Sequence, residues 1–490
     1  MLRPSLSVLA AALAVTLLPA ALFAPAAHAD DDTANGKRAV ARFAEDPYPS
    51  TYRPLAAPPV LLRGATVLTG DGGRIDGGDV LMRDGRIVAV GRGLDAPAGA
   101  VVVDARGKWV TPGLIDVHSH LGVYPSPGAN AHQDGNEATS PTTSNVWAEH
   151  SVWPQDPGFN TALAGGVTAL QILPGSANLI GGRGVTLKNV PATTYQAMKF
   201  PGAPWGLKMA CGENPKRVYG QRGGPSTRMA NVAGYRAAFI EASEYLKKHK
   251  SKPGRKRSWW QGGDEEGSPA TPGKRDLKLD TLAGAMNGDI LVHIHCYRAD
   301  EMAIMLDLAK EFGFKVSAFH HGTEAYKLAD RLAQENVCGA LWADWWGFKL
   351  EAYDGIQENI LLVDRPANGC AIVHSDSSEG IQRLNQEVAK VMAQGGRIGI
   401  DIAPERAIRW LTQNAARSLG ILESTGTLEA GKMADVVLWN GNPFSVYAKA
   451  EQVYVDGARL YDRNDPSRQP VSDFMLGQGE YRNGQPGGVR

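Results

Sequence analysis

Val110-Thr111-Pro112-Gly113-Leu114-Ile115-Asp116-Val117-His118-Ser119-His120 decides the fold. An apolar run leads into an H-x-H pair, which reads as a strand ending at a polar edge. Side chains alternate across a strand, so His118 and His120 point to the same side. Two imidazoles so placed can grip one divalent metal, although an isolated H-x-H is a weak signal. Three later strand-like runs also end in histidines. Asp289 to His295 carries His293 and His295, Lys315 to His320 is followed by His321, and Cys370 to His374 runs into Ser375-Asp376. Helix-like stretches, Ala299 to Phe312 and Ala325 to Glu335, lie between them. Alternating strands and helices predict a parallel α/β sheet, either a (β/α)8 TIM-like barrel or a doubly wound sheet. Parallel strands deliver their C-terminal ends to one face, where barrel active sites lie. Four such ends bearing histidines and a carboxylate make a normal shell for zinc or a similar divalent ion.

The rest of the chain is organised around that centre. It has 490 residues, 51 basic and 51 acidic groups, 43% hydrophobic and 21% charged residues. Global disorder is excluded, and no net basic field favours nucleic acid. Short strands with tight turns begin at Val60 and run to residue 112. Asp71-Gly72-Gly73 and Asp84-Gly85 are the hairpin signals. Residues 421–462 repeat this pattern, so the two ends are expected to pair into one small β module flanking a central domain over residues 113–420. Residues 30–59 read as a leader and 463–490 as a tail. Residues 247–278, rich in Lys, Arg, Gly and Pro, read as a solvated insertion loop.

The first 29 residues read as an export signal. Arg3 is their one charge, Leu6 to Phe23 is apolar, and Ala27-His28-Ala29 is a small-x-small cleavage pattern. Cleavage after Ala29 predicts a periplasmic or secreted protein without a membrane anchor. Cys211, Cys296, Cys338 and Cys370 are widely spaced, three of them in or beside apolar runs, and read as buried free thiols.

Pro112–His120, Gly165-Gly166-Val167-Thr168, His374-Ser375-Asp376 and Gly426–Asp435 together resemble the amidohydrolase superfamily, in its imidazolonepropionase-like branch that includes prolidase-like enzymes. The resemblance runs from about Val60 to Asp462. It implies a metal-bearing (β/α)8 barrel beside a β-sandwich built from both chain ends. Carried over position by position, it makes His118, His120, His295, His321 and Asp376 metal ligands. His293 sits deeper in its strand as a supporting group, and His321 is favoured over His320. For the bridging ligand it offers Glu213, which is favoured, or Lys208 in carboxylated form. Arg298 stands where imidazolonepropionases carry a glutamate, which argues against that activity.

The expected chemistry follows from these parts. A bound divalent ion, zinc first, with iron, manganese or cobalt as alternatives and one or two ions in the site, makes hydroxide available near neutral pH. Asp376 acts as general base and then acid. His295 or His321, where not ligating, steadies the oxyanion. Asn214, Lys216, Arg217 and Arg228 are candidates for a substrate carboxylate, and Trp345 and Trp346 for an apolar wall. The glycines of Gly181-Gly182-Arg183-Gly184 permit close backbone approach to a ligand. The expected substrate is a small amide, cyclic amide or dipeptide. A heterocycle deaminase or a non-catalytic binding barrel are the alternatives, and a homo-oligomer is compatible with the resemblance.

Overall fold

Strand-forming residues in the computed structural model gather into two eight-stranded sheets. Residues 43, 45–126, 128–249, 274–345 and 347–469 are described. The export signal, nearly half of the leader, most of the insertion loop, Trp346 and the chain beyond residue 469 lie outside them. Among the described residues no helix is long and apolar enough to cross a membrane.

In chain order the first strands are β1 (Val60–Leu68), β2 (Arg74–Arg83), β3 (Arg86–Gly91), β4 (Val101–Asp104) and β5 (Trp109–Pro112). The central set is β6 (Leu114–Ser119), β7 (Val167–Ile172), β8 (Ile180–Lys188), β9 (Gly206–Ala210), β10 (Leu291–Cys296), β11 (Val316–His321), β12 (Cys338–Leu341) and β13 (Ala371–Val373). Last come β14 (Val436–Trp439), β15 (Ala450–Val455) and β16 (Ala458–Asp462). The expected meeting of the chain ends occurs: β14 pairs antiparallel with β5, joining β14–β16 to β1–β5 in a single sheet. Asp84 and Gly85 both take positive φ, 53° and 76°, as the β2–β3 hairpin requires.

The central strands follow chain order from β6 to β13 and form a mixed α/β, nearly closed barrel sheet. Its open seam lies between β13 and β6. The Asp376 N–H donates to the His118 carbonyl (3.1 Å) and the Ser375 N–H to Asp116 Oδ1 (3.2 Å), stitching that seam beside the H-x-H pair. Apolar side chains from the strands pack against the surrounding helices in one large core, for example Leu170, Leu207, Val292, Phe319 and Leu384.

Two expectations are corrected here. The barrel is not wholly parallel, because β8 runs antiparallel to both β7 and β9. The β7–β8 connection, residues 173–179, contains Pro174-Gly175 and is too short for the dozen or more residues that a parallel crossover needs. Nor are the cysteines free. Cys211 bonds Cys296, and Cys338 bonds Cys370. Each pair bridges neighbouring parallel strands. Ala210 is in register with His295, so the next residues, Cys211 and Cys296, fall side by side with Cα atoms 5.2 Å apart. Separations of 85 and 32 residues hide this in the linear sequence.

β8 also ties the barrel to the terminal sheet. Lys188 is fully buried, and its Nζ lies 3.1 Å from Asp435 Oδ1 and 2.5 Å from Asp456 Oδ2.

Candidate active site

Alternation along β6 sends Asp116, His118 and His120 to the barrel interior, while Ile115 and Val117 join an apolar cluster with Ala415 and Leu419. His120 holds its Nδ1 2.8 Å from the Leu173 carbonyl. A carbonyl only accepts, so Nδ1 carries the proton and Nε2 keeps its lone pair. That Nε2 lies 3.2 Å from Asp376 Oδ1, and His118 Nε2 lies 3.5 Å from the same oxygen. His321 Nε2 is 3.9 Å from Asp376 Oδ2. Two overlapping triads result, His118–His321–His374 and His118–His120–Asp376, each with ligand atoms within 4.8 Å of one another.

The residues that turn into this cluster do so from strained backbone. His321 (φ 73°) and Asp376 (φ 48°) both occupy the left-handed region, which non-glycine residues seldom adopt. Each stands at or just past a strand end, where the left-handed turn aims the side chain inward, a cost that persists only where surrounding structure over-determines it.

Burial sets the electrostatics. It drives His118, His295, His320 and His321 well below the ordinary imidazole range, His374 down to about 4 and His293 down to about 3, so all are neutral ligands or hydrogen-bond partners near pH 7. Burial alone would raise Asp376. The close approach of His120 and the positive charge of nearby Lys208 outweigh it and keep Asp376 ionised, below its usual value. Asp116 is pushed up to about 7, chiefly by burial, although it accepts from Ser375 Oγ and from the Ser375 and His118 N–H groups.

Neutral imidazoles beside an ionised carboxylate are a metal-binding donor set, and the unpaired atoms agree. His374 Nδ1 and Nε2 and His321 Nδ1 are buried without a hydrogen-bond partner, an arrangement that is costly unless something else occupies them. These residues fit a divalent ion.

The two bridging candidates part company. Lys208 is buried in the cluster: its Nζ is 3.4 Å from His118 Nε2 and donates to the Pro174 carbonyl at 3.0 Å, and burial lowers it to about 8. Glu213 begins the helix Glu213–Tyr219 and faces Lys349, whose Nζ lies 3.5 Å away. His295 Nε2 meets the Asn214 amide at 3.3 Å, and its ring lies 4.7 Å from that of His321. His320 and His293 lie deeper, on His118 and on each other.

Lys349 and Tyr297 form part of the mouth that sequence reasoning missed. Lys349 sits 4.1 Å over the Tyr297 ring and donates to Asn214 Oδ1 at 3.3 Å. Trp342 stacks on His321 at 4.3 Å and touches Trp345 and Phe348. The visible signal was the aromatic density of residues 342–353, within which Lys349 is the one lysine. Of the carboxylate candidates, Arg228 is already committed to Glu301 and Glu351, at 2.9 and 2.8 Å. Asn214 is in place, and Arg217 is exposed on the helix after β9.

Comparison with known proteins agrees with this geometry. The profile of the Amidohydrolase family matches residues 373–461. An amidohydrolase of known structure from Thermotoga maritima is similar at 34% identity and a TM-score of 0.72, across 82% of this chain and all of that one. Amidohydrolase tasK of Hapsidospora irregularis is 33% identical over 79% of this chain, which spans only 40% of that longer protein. An imidazolonepropionase of Mesorhizobium japonicum is 24% identical, over 78% of this chain and 90% of its own.

Proposed function

This chain belongs to the amidohydrolase superfamily and is a hydrolase of C–N bonds, and from that premise we propose that it is an exported, metal-dependent enzyme that cleaves an amide, cyclic amide or dipeptide bearing a carboxylate. The observation that carries the reading is the pair of overlapping groups, His118–His321–His374 and His118–His120–Asp376, that share His118. These side chains would hold one or two divalent ions, zinc before iron, manganese or cobalt, with His295 alongside. Such an ion supplies an acidified water and a polarised carbonyl. Lys208, taking up carbon dioxide at its neutral amine to become a carbamate, serves as the bridging group better than Glu213, because it already lies inside the cluster while Glu213 faces Lys349.

Asp376 takes the proton of the attacking water and returns it to the leaving nitrogen. It is ionised, with His118 and His120 nitrogens 3.5 and 3.2 Å from one carboxylate oxygen. Lys349 is held by long contacts to Glu213 (3.5 Å), Glu351 (3.7 Å) and Asn214, so its ammonium has capacity for a substrate carboxylate. Only the Asn214 amide stands between Lys349 and His295. Tyr297, Trp342 and Phe348 present the apolar wall.

The terminal sheet folds over its own core of Leu62, Val80, Val110 and Val436 and is read as a β-sandwich unit that buttresses the barrel. Export is supported by the signal-like sequence of the first 29 residues and by four cysteines engaged in disulfides, which persist in oxidising compartments. The test is metal content of the purified protein, followed by a hydrolysis screen of dipeptides, N-acyl amino acids and cyclic amides. Stoichiometric divalent metal and a new carboxylate are expected. Ammonia released from a heterocycle would make it a deaminase, and absence of metal with activity unaffected by His118→Ala would overturn the reading. Asp30 as the N-terminal residue in the native host would establish cleavage; a start at Met1 would refute it.

A further inference from the structure

Beneath the site, four fully buried polar side chains from different strands form a file down the barrel axis. His118 Nδ1 lies 2.9 Å from His320 Nδ1, His320 Nε2 lies 3.0 Å from His293 Nδ1, and His293 Nε2 lies 3.4 Å from the Gln171 amide. All four are essentially without solvent contact. Space for the file is kept by Gly206 on β9: a Cβ there would fall 2.7 Å from Gln171 Nε2 and 3.0 Å from His293 Cδ2. The reaction described above uses none of Gln171, His293 or His320 directly.

The file has only two consistent states. A nitrogen–nitrogen contact cannot hold two N–H groups, so in this buried file each ring carries one N–H and one lone pair. Each N···N contact needs one donor and one acceptor. The choice at any ring therefore sets every other ring. In one state the protons sit on His118 Nδ1, His320 Nε2 and His293 Nε2, and Gln171 must accept. In the other they sit on His118 Nε2, His320 Nδ1 and His293 Nδ1, and Gln171 must donate.

The metal site chooses between them, and the far end can follow. His118 Nδ1 is turned onto His320, so Nε2, 3.5 Å from Asp376 Oδ1, is the atom His118 offers to the metal site, and a ligand atom must present its lone pair. At the far end Gln171 Oε1 is buried with no partner, while the amide nitrogen meets His293 only at 3.4 Å. Turning that amide by half a rotation puts the oxygen opposite the His293 Nε2–H and the amide nitrogen where the oxygen stood. The second state turns an N–H of His118 into the metal site, where a lone pair is needed.

We propose that Gln171, His293 and His320 are positioning residues: they form a one-way chain of N–H donors that ends on Gln171 Oε1 and holds the Nε2 lone pair of His118 turned into the site. The proposal rests on the metal-site reading given above. It makes an amide on β7 a determinant of ligand geometry on β6 through two intervening rings. Groups that orient a ligating histidine typically change metal affinity by about 10–100-fold when removed.

The test uses the full zinc-loaded chain labelled with 15N-histidine, with zinc affinity measured by chelator competition. The 15N shifts should show His320 and His293 protonated at Nε2 and His118 at Nδ1. Gln171→Leu, which keeps the volume and removes the acceptor, should mix the tautomers of His293 and His320 and weaken zinc binding about 10-fold. Gln171→Glu, which restores an acceptor, should recover both. His320 protonated at Nδ1 in the zinc-loaded protein, or Gln171→Leu with wild-type tautomers and zinc affinity, would overturn the chain. Should Gln171→Leu fail to fold, the wild-type tautomers and the Gln171→Glu affinity still decide. Failure of the metal reading is seen separately, as zinc affinity unchanged by His120→Ala.

Discussion

Removing the two disulfides tests the barrel register and the compartment together. Cys211–Cys296 closes 85 residues and Cys338–Cys370 closes 32, so in the chain-entropy account they restrict the unfolded state by about 4.6 and about 3.7 kcal/mol. Measured disulfides commonly deliver less, which puts the joint loss at roughly 4–8 kcal/mol. Total stabilities are only about 5–15 kcal/mol, so this loss is large. With an unfolding entropy near 2 cal/mol/K per residue, one kcal/mol moves the Tm of a chain this size by about 1 °C, and the expected drop is about 4–8 °C. The assay has two parts. Thiol titration of the unfolded, non-reduced protein should find none of the four cysteines free. Thermal unfolding of Cys211→Ala/Cys296→Ala and Cys338→Ala/Cys370→Ala should then show the larger loss for the first pair, since its loop is longer. Four titratable thiols in protein from an oxidising compartment would refute the strand register that brings Cys211 opposite Cys296. An equal Tm in all three proteins would refute the entropic argument.

Lys188→Met should lower stability by about 3–5 kcal/mol, because it strands the buried carboxylates of Asp435 and Asp456; chemical denaturation reads this, and adding Asp456→Asn should recover part of it. Asp376→Asn should retain fold and substrate binding while kcat falls about 10²–10⁴-fold, the usual weight of a general acid–base group; a variant as fast as wild type removes Asp376 from proton transfer. Lys349→Met should raise KM about 10-fold or more for carboxylate-bearing substrates, in keeping with a lost charge-assisted bond, and leave their neutral amides unaffected. Burial lowers the Lys208 amine to about 8 and so favours the neutral form that captures carbon dioxide. Recovery of stripped enzyme by zinc should therefore depend on bicarbonate and quicken as pH rises toward that value, and Lys208→Ala should recover at no pH.

What the linear sequence disclosed follows from the range of the forces involved. His118 and His120 were legible because strand alternation is local, and Asp376 because it directly follows a strand end. The meeting of β5 with β14 was legible as two stretches of similar hairpin chemistry. The direction of β8 was less so: its apolar run is compatible with either orientation, and only the seven-residue connection from β7, read against the reach of a crossover, decides. The disulfides were illegible for the same reason. They depend on register between β9 and β10, which no residue near either cysteine specifies.

Register separates Lys208 from Glu213 more than their linear positions do. Read linearly, Lys208 sits early in an apolar run and Glu213 near its end, where catalytic groups belong. In the sheet, Lys208 pairs with His293, and alternation from there carries its long side chain up the barrel interior to His118. Strand β9 stops at Ala210, and Gly212, at φ 82°, turns the chain into the helix that opens with Glu213. A Cβ at Gly212 would sit within 2.7 Å of the Glu351 carboxylate, so the turn is held by the same loop that carries Lys349. Glu351 accepts the Glu213 N–H at 2.7 Å. The loop after β12 thus fixes where Glu213 points, gives its carboxylate a cationic neighbour in Lys349, and leaves the place beside His118 to the lysine below.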